Sequence, residues 1–119
     1  MVIMVVDDNP DIISMLAMML PHVVDDCKVI SARNGAQGLT LLENITPDVI
    51  LTNWRMPEMD GMTFLREIRR RSVWDTIRLI MMSALATPDV QEEASANGAE
   101  AFLSKPFTLV DLQLLFQAL

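Results

Sequence analysis

Asp7 and Asp8 stand side by side directly after an apolar run. Adjacent carboxylates repel unless a cation or a proton sits between them. Far along the chain, three other short apolar runs end in complementary groups: Asn53 offers a carboxamide, Ser83 a hydroxyl and Lys105 an ammonium. Gathered together, they would make an oxygen-rich site with a single cation. Such a site suits Mg²⁺, which keeps several waters and bridges carboxylates to phosphoryl oxygens. Lys105 and Ser83 are donors suited to those phosphoryl oxygens. Each signal alone is weak, and Asp7-Asp8 by itself reads as a solvated turn. The weight lies in their convergence, which the rest of the chain must bring about.

Five short apolar runs alternate with longer amphipathic stretches. Val2–Val6, Lys28–Ala32, Val49–Thr52, Ile77–Met82 and Ala101–Leu103 read as strands. Most are continuously apolar, as in a parallel sheet covered on both faces. The stretches between them carry helix signals. Asn9-Pro10-Asp11 supplies an N-cap, a proline at the first helical position and an early acid. Thr87-Pro88-Asp89 repeats that grammar before helix four, and Asn97-Gly98 ends it. Asp60 caps helix three, whose last turn is expected to hold Arg69, Arg70 and Arg71. Thr108 caps helix five, with Asp111 three residues on. Regular alternation with short connections predicts an α/β fold, a doubly wound sheet. Ligands on such sheets bind beyond the carboxyl ends of the strands, where the four groups stand.

The 119 residues make one domain, and a chain this long buries enough for a core without staples. A net charge of −7 argues against direct nucleic-acid binding by this domain. Cys27 is the only cysteine, which excludes an internal disulfide and a thiolate metal cluster. Met1–Val6 has no basic flank or cleavage site, so it is not a signal peptide. Ile12–Val24 is too short to span a bilayer and holds Pro21 and His22. A cytoplasmic protein without membrane contact is the expectation.

Val5-Val6-Asp7-Asp8-Asn9, Arg55-Met56-Pro57-Glu58-Met59-Asp60-Gly61, Met82-Ser83-Ala84 and Lys105-Pro106-Phe107 resemble, in order and spacing, the hallmark segments of response-regulator receiver domains of two-component systems. The resemblance covers nearly the whole chain. It implies a flavodoxin-like sheet of five parallel strands, order 2-1-3-4-5, with five helices. It further implies that Asp8 ligates Mg²⁺ directly, Asp7 acts through water and toward Lys105, and the Arg55 backbone carbonyl completes the metal site. Ser83 would be the switch hydroxyl, Phe102 the aromatic that moves with it, and Lys105 a phosphoryl ligand joined to Pro106 by a cis bond. The implied partner is a histidine kinase or histidine phosphotransfer domain.

One position departs from the pattern. The family's phosphate-accepting aspartate falls at Asn53. A carboxylate attacks phosphorus through a charged oxygen, whereas a carboxamide has no such charge and a delocalised nitrogen lone pair. Asn53 is therefore expected to be inactive as an acceptor and to weaken Mg²⁺ binding, while its Oδ1 can still accept from Lys105. The chain is then either a natural pseudo-receiver or a blocked form of an ordinary one. The matching Asp7, Asp8, Ser83 and Lys105 favour a blocked or recently lost acceptor. Thr52, one residue away, should face the opposite side of its strand and is a poor substitute.

On helix one, Ile12, Leu16, Met19 and Leu20 form a core stripe, and Met15 and Met18 fall on a separate arc expected to meet the partner. His22 reads as a helix-end residue, and most of the ten methionines as core filler. On helix five, Leu109, Leu112 and Phe116 are expected inward, leaving Val110 and Leu114 outside. Helix four, strand five and helix five form the face the resemblance assigns to a homodimer or to output. The domain reading covers 1–119, and the abrupt stop at Leu119 leaves room for a longer response regulator or hybrid protein. The rival reading is a small phosphate-, nucleotide- or flavin-binding enzyme on the same topology. It wants a Gly-rich loop after strand one, where Asp7-Asp8-Asn9-Pro10 stands instead. A metal-dependent phosphatase with an aspartate nucleophile is a further rival, but it usually needs separated acids.

Overall fold

The computed structural model describes residues 1–119. Five parallel strands, β1 (Val2–Val6), β2 (Lys28–Ala32), β3 (Val49–Asn53), β4 (Arg78–Ser83) and β5 (Ala101–Ser104), form one sheet in the order β2-β1-β3-β4-β5. The predicted strand order holds. β1 and β2 match their expected bounds, β3 and β5 each run one residue further, and β4 is shifted forward by one. Ile77 lies just outside β4 yet is buried, because apolar character reports burial rather than ladder hydrogen bonding.

Side chains alternate across each strand, which fixes which helix each residue meets. Ile3 and Val5, Val49 and Leu51, Ile80 and Met82, and Leu103 pack with Leu16, Leu20 and Leu112. These last belong to α1 (Pro10–Met19) with its short 3₁₀ extension Leu20–His22, and to α5 (Leu109–Ala118). Met4 and Val6, Ile50, Leu79 and Met81 face the other way, onto α2 (Gly35–Leu42), α3 (Gly61–Arg69) and α4 (Pro88–Ala96). Phe64, Leu65 and Ile68 of α3 are wholly buried there. Two apolar layers thus sandwich the sheet, and the strand tips are left for chemistry.

The caps form as the sequence suggests. Asn9 Oδ1 accepts from Asp11 N at 2.9 Å, Asp60 Oδ1 from Thr63 N at 2.9 Å, and Thr87 Oγ1 from Val90 N at 3.4 Å. Thr108 and Asp111 cap each other reciprocally. Asn34 starts α2 by accepting from Gln37 N at 2.8 Å, a start hidden in a turn-like Arg33-Asn34-Gly35 run. Two expectations need correction. The last turn of α3 holds Arg66 and Arg69, while Arg70 is already the cap and Arg71 lies beyond. Leu109, the first residue of α5, is 37% exposed rather than inward; Leu115 packs inward alongside Leu112 and Phe116. No helix is long and apolar enough to cross a membrane.

Candidate functional site

Asp7, Asn53 and Lys105 continue the rows that carry Val5, Leu51 and Leu103, so strand alternation aims all three at the same side of the sheet edge. Lys105 Nζ donates to Asp7 Oδ2 at 2.8 Å and to Asn53 Oδ1 at 3.0 Å. Asp7 is 1% exposed, and its second oxygen accepts from Asn9 N at 3.0 Å. A buried carboxylate needs such partners, since an unpaired one would carry a heavy desolvation cost. The Lys105 backbone N–H is held by the Ser83 carbonyl at 2.9 Å, which sets the base of the long side chain. The Lys105–Pro106 peptide is cis, as the resemblance implied.

Ser83 continues the opposite row, with Leu79 and Met81, and is buried. Its Oγ accepts from Leu85 N at 3.0 Å. Phe102, paired with Met81 in register, is half-buried against the α3–α4 layer and lines the grooves on either side of β5. Thr52 is fully buried, on the face away from Asn53, and its hydroxyl donates to the Asn53 carbonyl at 3.0 Å. That placement agrees with its dismissal as an acceptor.

Asp8 is exposed beside Asp7. Its backbone carbonyl accepts from Arg33 Nη2 at 3.1 Å, a contact that residue types at the other strand ends do not announce, since Arg33 stands just after β2. The Asn53 Nδ2 donates to the Arg55 carbonyl at 2.8 Å. Arg55's guanidinium lies over the Trp54 ring, 4.1 Å from its centroid. Gly61 closes the loop onto the strand end, its N–H reaching the Trp54 carbonyl at 2.6 Å. A Cβ there would stand 2.3 Å from the Asn53 carbonyl oxygen, so only glycine permits this approach. Glu58 sits at φ +67°, with Met59 N donating back to the Pro57 carbonyl at 2.7 Å, a tight γ-turn.

For a divalent cation the donor set is a poor fit. Both Asp7 oxygens, Asn53 Oδ1 and the Arg55 carbonyl are already hydrogen-bonded within the protein. No group of three or more His, Cys, Asp or Glu side chains converges anywhere in the chain. Of the four residues expected at a metal, Asp8 alone turns an acid outward.

Of the expected partner residues, Met18 is 74% exposed. Met15 is half-buried against the α1–α5 core, because its place in the helical turn brings it round toward Leu16 and Met19. Val110 and Leu114 are exposed as expected, and Leu114 borders a groove of ≈ 430 Å³ beside Phe102 and Pro106. Elsewhere, burial pushes the Cys27 thiol above its usual pKa, with the Met1 ammonium partly opposing the shift.

A family model described as the response regulator receiver domain matches residues 3–117. Regulatory protein AtoC of Escherichia coli (strain K12) is 38% identical over 117 residues, 97% of this chain and 24% of that protein. Hybrid signal transduction histidine kinase D of Dictyostelium discoideum is 29% identical over 111 residues, 93% of this chain and 7% of its own length. The chain thus spans a quarter or less of these curated relatives. The solved structure of the chemotaxis response regulator CheY4 of Vibrio cholerae superposes with a TM-score of 0.90 at 27% identity, covering 98% of this chain and 96% of that one.

Proposed function

The chain belongs to the response regulator receiver domain family, and on that premise we propose that it is the receiver module of a two-component phosphorelay whose acceptor position is held by Asn53. Receiver domains are signalling modules that interact with histidine kinases or phosphotransfer proteins and generally bind Mg²⁺. The observation that supports this reading most is the bridge of Lys105 Nζ between Asp7 and Asn53, groups 98 and 52 residues distant in sequence. A lysine tied to a buried acid at the sheet edge is a fixed positive charge where phosphoryl oxygens would arrive.

In a form with aspartate at position 53, Asp8 and the Arg55 carbonyl would be the metal-side groups, with Asp7 acting through water; in this chain Asn53 Nδ2 holds the Arg55 carbonyl. Ser83 and Phe102 are the switch pair. Asn53 supplies no charged oxygen, so the chain forms no acyl phosphate, and its Mg²⁺ affinity is weak because one carboxylate is missing. The domain works in the cytoplasm as part of a longer response regulator or hybrid protein. Met18 leads the surface that meets the histidine-bearing partner, with Met15 supporting it from below. Helix four, strand five and helix five supply a self-association or output face.

The test is restoration. Asn53→Asp protein incubated with acetyl phosphate and Mg²⁺ is expected to gain the mass of one phosphoryl group, while the parent chain gains none. A restored protein that stays unmodified rejects the receiver reading. A parent chain that becomes phosphorylated rejects the assignment of position 53.

A further inference from the structure

We infer that Asn53 closes the pocket as well as disarming it: its carboxamide braces Lys105 to the loop after β3 and occupies the Arg55 carbonyl in place of a cation. The inference rests on the receiver reading and adds a bond to what that reading describes as a missing charge. A carboxylate at this position could only accept hydrogen bonds, and it would leave the Arg55 carbonyl without this donor. A carboxamide accepts and donates at once. Its Oδ1 takes Lys105 Nζ at 3.0 Å and its Nδ2 gives to the Arg55 carbonyl at 2.8 Å, both ordinary hydrogen-bond lengths.

The amide's orientation follows from its partners. An ammonium can only donate and a carbonyl can only accept, so the flipped amide would set donor against donor and acceptor against acceptor. The brace also reaches a loop already pinned at its far end by Gly61 N–H on the Trp54 carbonyl. The result is a continuous chain of bonds, Asn9 to Asp7 to Lys105 to Asn53 to Arg55, that satisfies the pocket from within. A cation would have to break into it, and one ordinary intramolecular hydrogen bond makes that about fivefold harder, beyond the effect of the lost charge.

The experiment reads the side-chain amide itself. In ¹⁵N-labelled protein, the Asn53 Nδ2 proton pair is identified as the signal that vanishes in Asn53→Asp. The expected result is that the one proton of the pair held by the Arg55 carbonyl exchanges with solvent about fivefold more slowly than in a free asparagine amide, with no shift of the pair on adding Mg²⁺. Exchange at the free-amide rate, or a shift that saturates with Mg²⁺, overturns the brace. Calorimetric titration of Asn53→Asp with Mg²⁺ tests the layer beneath: heat of binding is expected there. Its absence in a folded variant takes away the receiver pocket, and the inference with it, by a signal separate from the amide's.

Discussion

Lys105 and Asp7 show what a single residue is worth at this edge. Asp7 is almost wholly buried and Lys105 is 18% exposed, so the pair is desolvated on one side and screened on the other. Removing the ammonium strands a buried carboxylate, a change that costs 3–5 kcal/mol in fully buried pairs. With partial screening, Lys105→Met is expected to lower unfolding free energy by about 2 kcal/mol, read from urea titration. The double variant Lys105→Met with Asp7→Asn is expected to recover most of that loss, because the charge left behind is then gone. No recovery would mean that the lysine stabilises by packing instead. The sequence places Asp7, Asn53 and Lys105 at strand ends by type and position, and the resemblance implies the Asp7–Lys105 contact that the structure holds. Neither reveals the Nδ2 bond to Arg55. That bond depends on how the loop turns back over the strand end, which residue types alone leave open.

At the scale of elements, four of the five helix starts were legible and the bounds of three of the five strands were not, for a physical reason. A cap is a local bond between a side chain and a backbone two or three residues on, so Asn9, Asp60, Thr87 and Thr108 announce themselves. A strand end is set by its neighbours' ladders. β3 reaches Asn53 because Asn53 pairs with Met82 of β4, a partner far away in sequence. Gly61 is where the two kinds of control meet, since it starts α3 and touches β3. Gly61→Ala is expected to destabilise the fold by about 2–3 kcal/mol, the overpacking range, because its Cβ meets backbone that cannot swing aside. Thr108→Ala, which removes one half of a reciprocal cap, is expected to cost about 1 kcal/mol. Guanidinium melts of the two variants check the order; a Gly61→Ala loss no larger than that of Thr108→Ala would mean the β3–α3 contact yields easily.

Across the whole molecule, the two layers of the sandwich give the domain two separate outer surfaces. The exposed Met18 lies on α1 and the exposed Leu114 on α5, helices that share one layer but cover different parts of the sheet. Leu114 borders the β5 groove, whereas Met18 stands on the helix that begins beside the acidic edge. Neither side chain contributes to the core, so charge placed on either should leave stability within about 0.5 kcal/mol of the parent. Both surfaces can therefore be altered one at a time in the Asn53→Asp background. Met18→Glu is expected to slow phosphoryl transfer from a histidine phosphotransfer domain while leaving acetyl phosphate modification unchanged, because only the protein donor must dock. Leu114→Glu is expected to leave both reactions alone and to reduce self-association in sedimentation at high concentration. If Met18→Glu slowed the two donors equally, the change would have reached the pocket itself, and α1 would lose its assignment as a docking face. If Leu114→Glu impaired transfer from the protein donor, the two surfaces would be one, and docking would extend across the full α1–α5 layer.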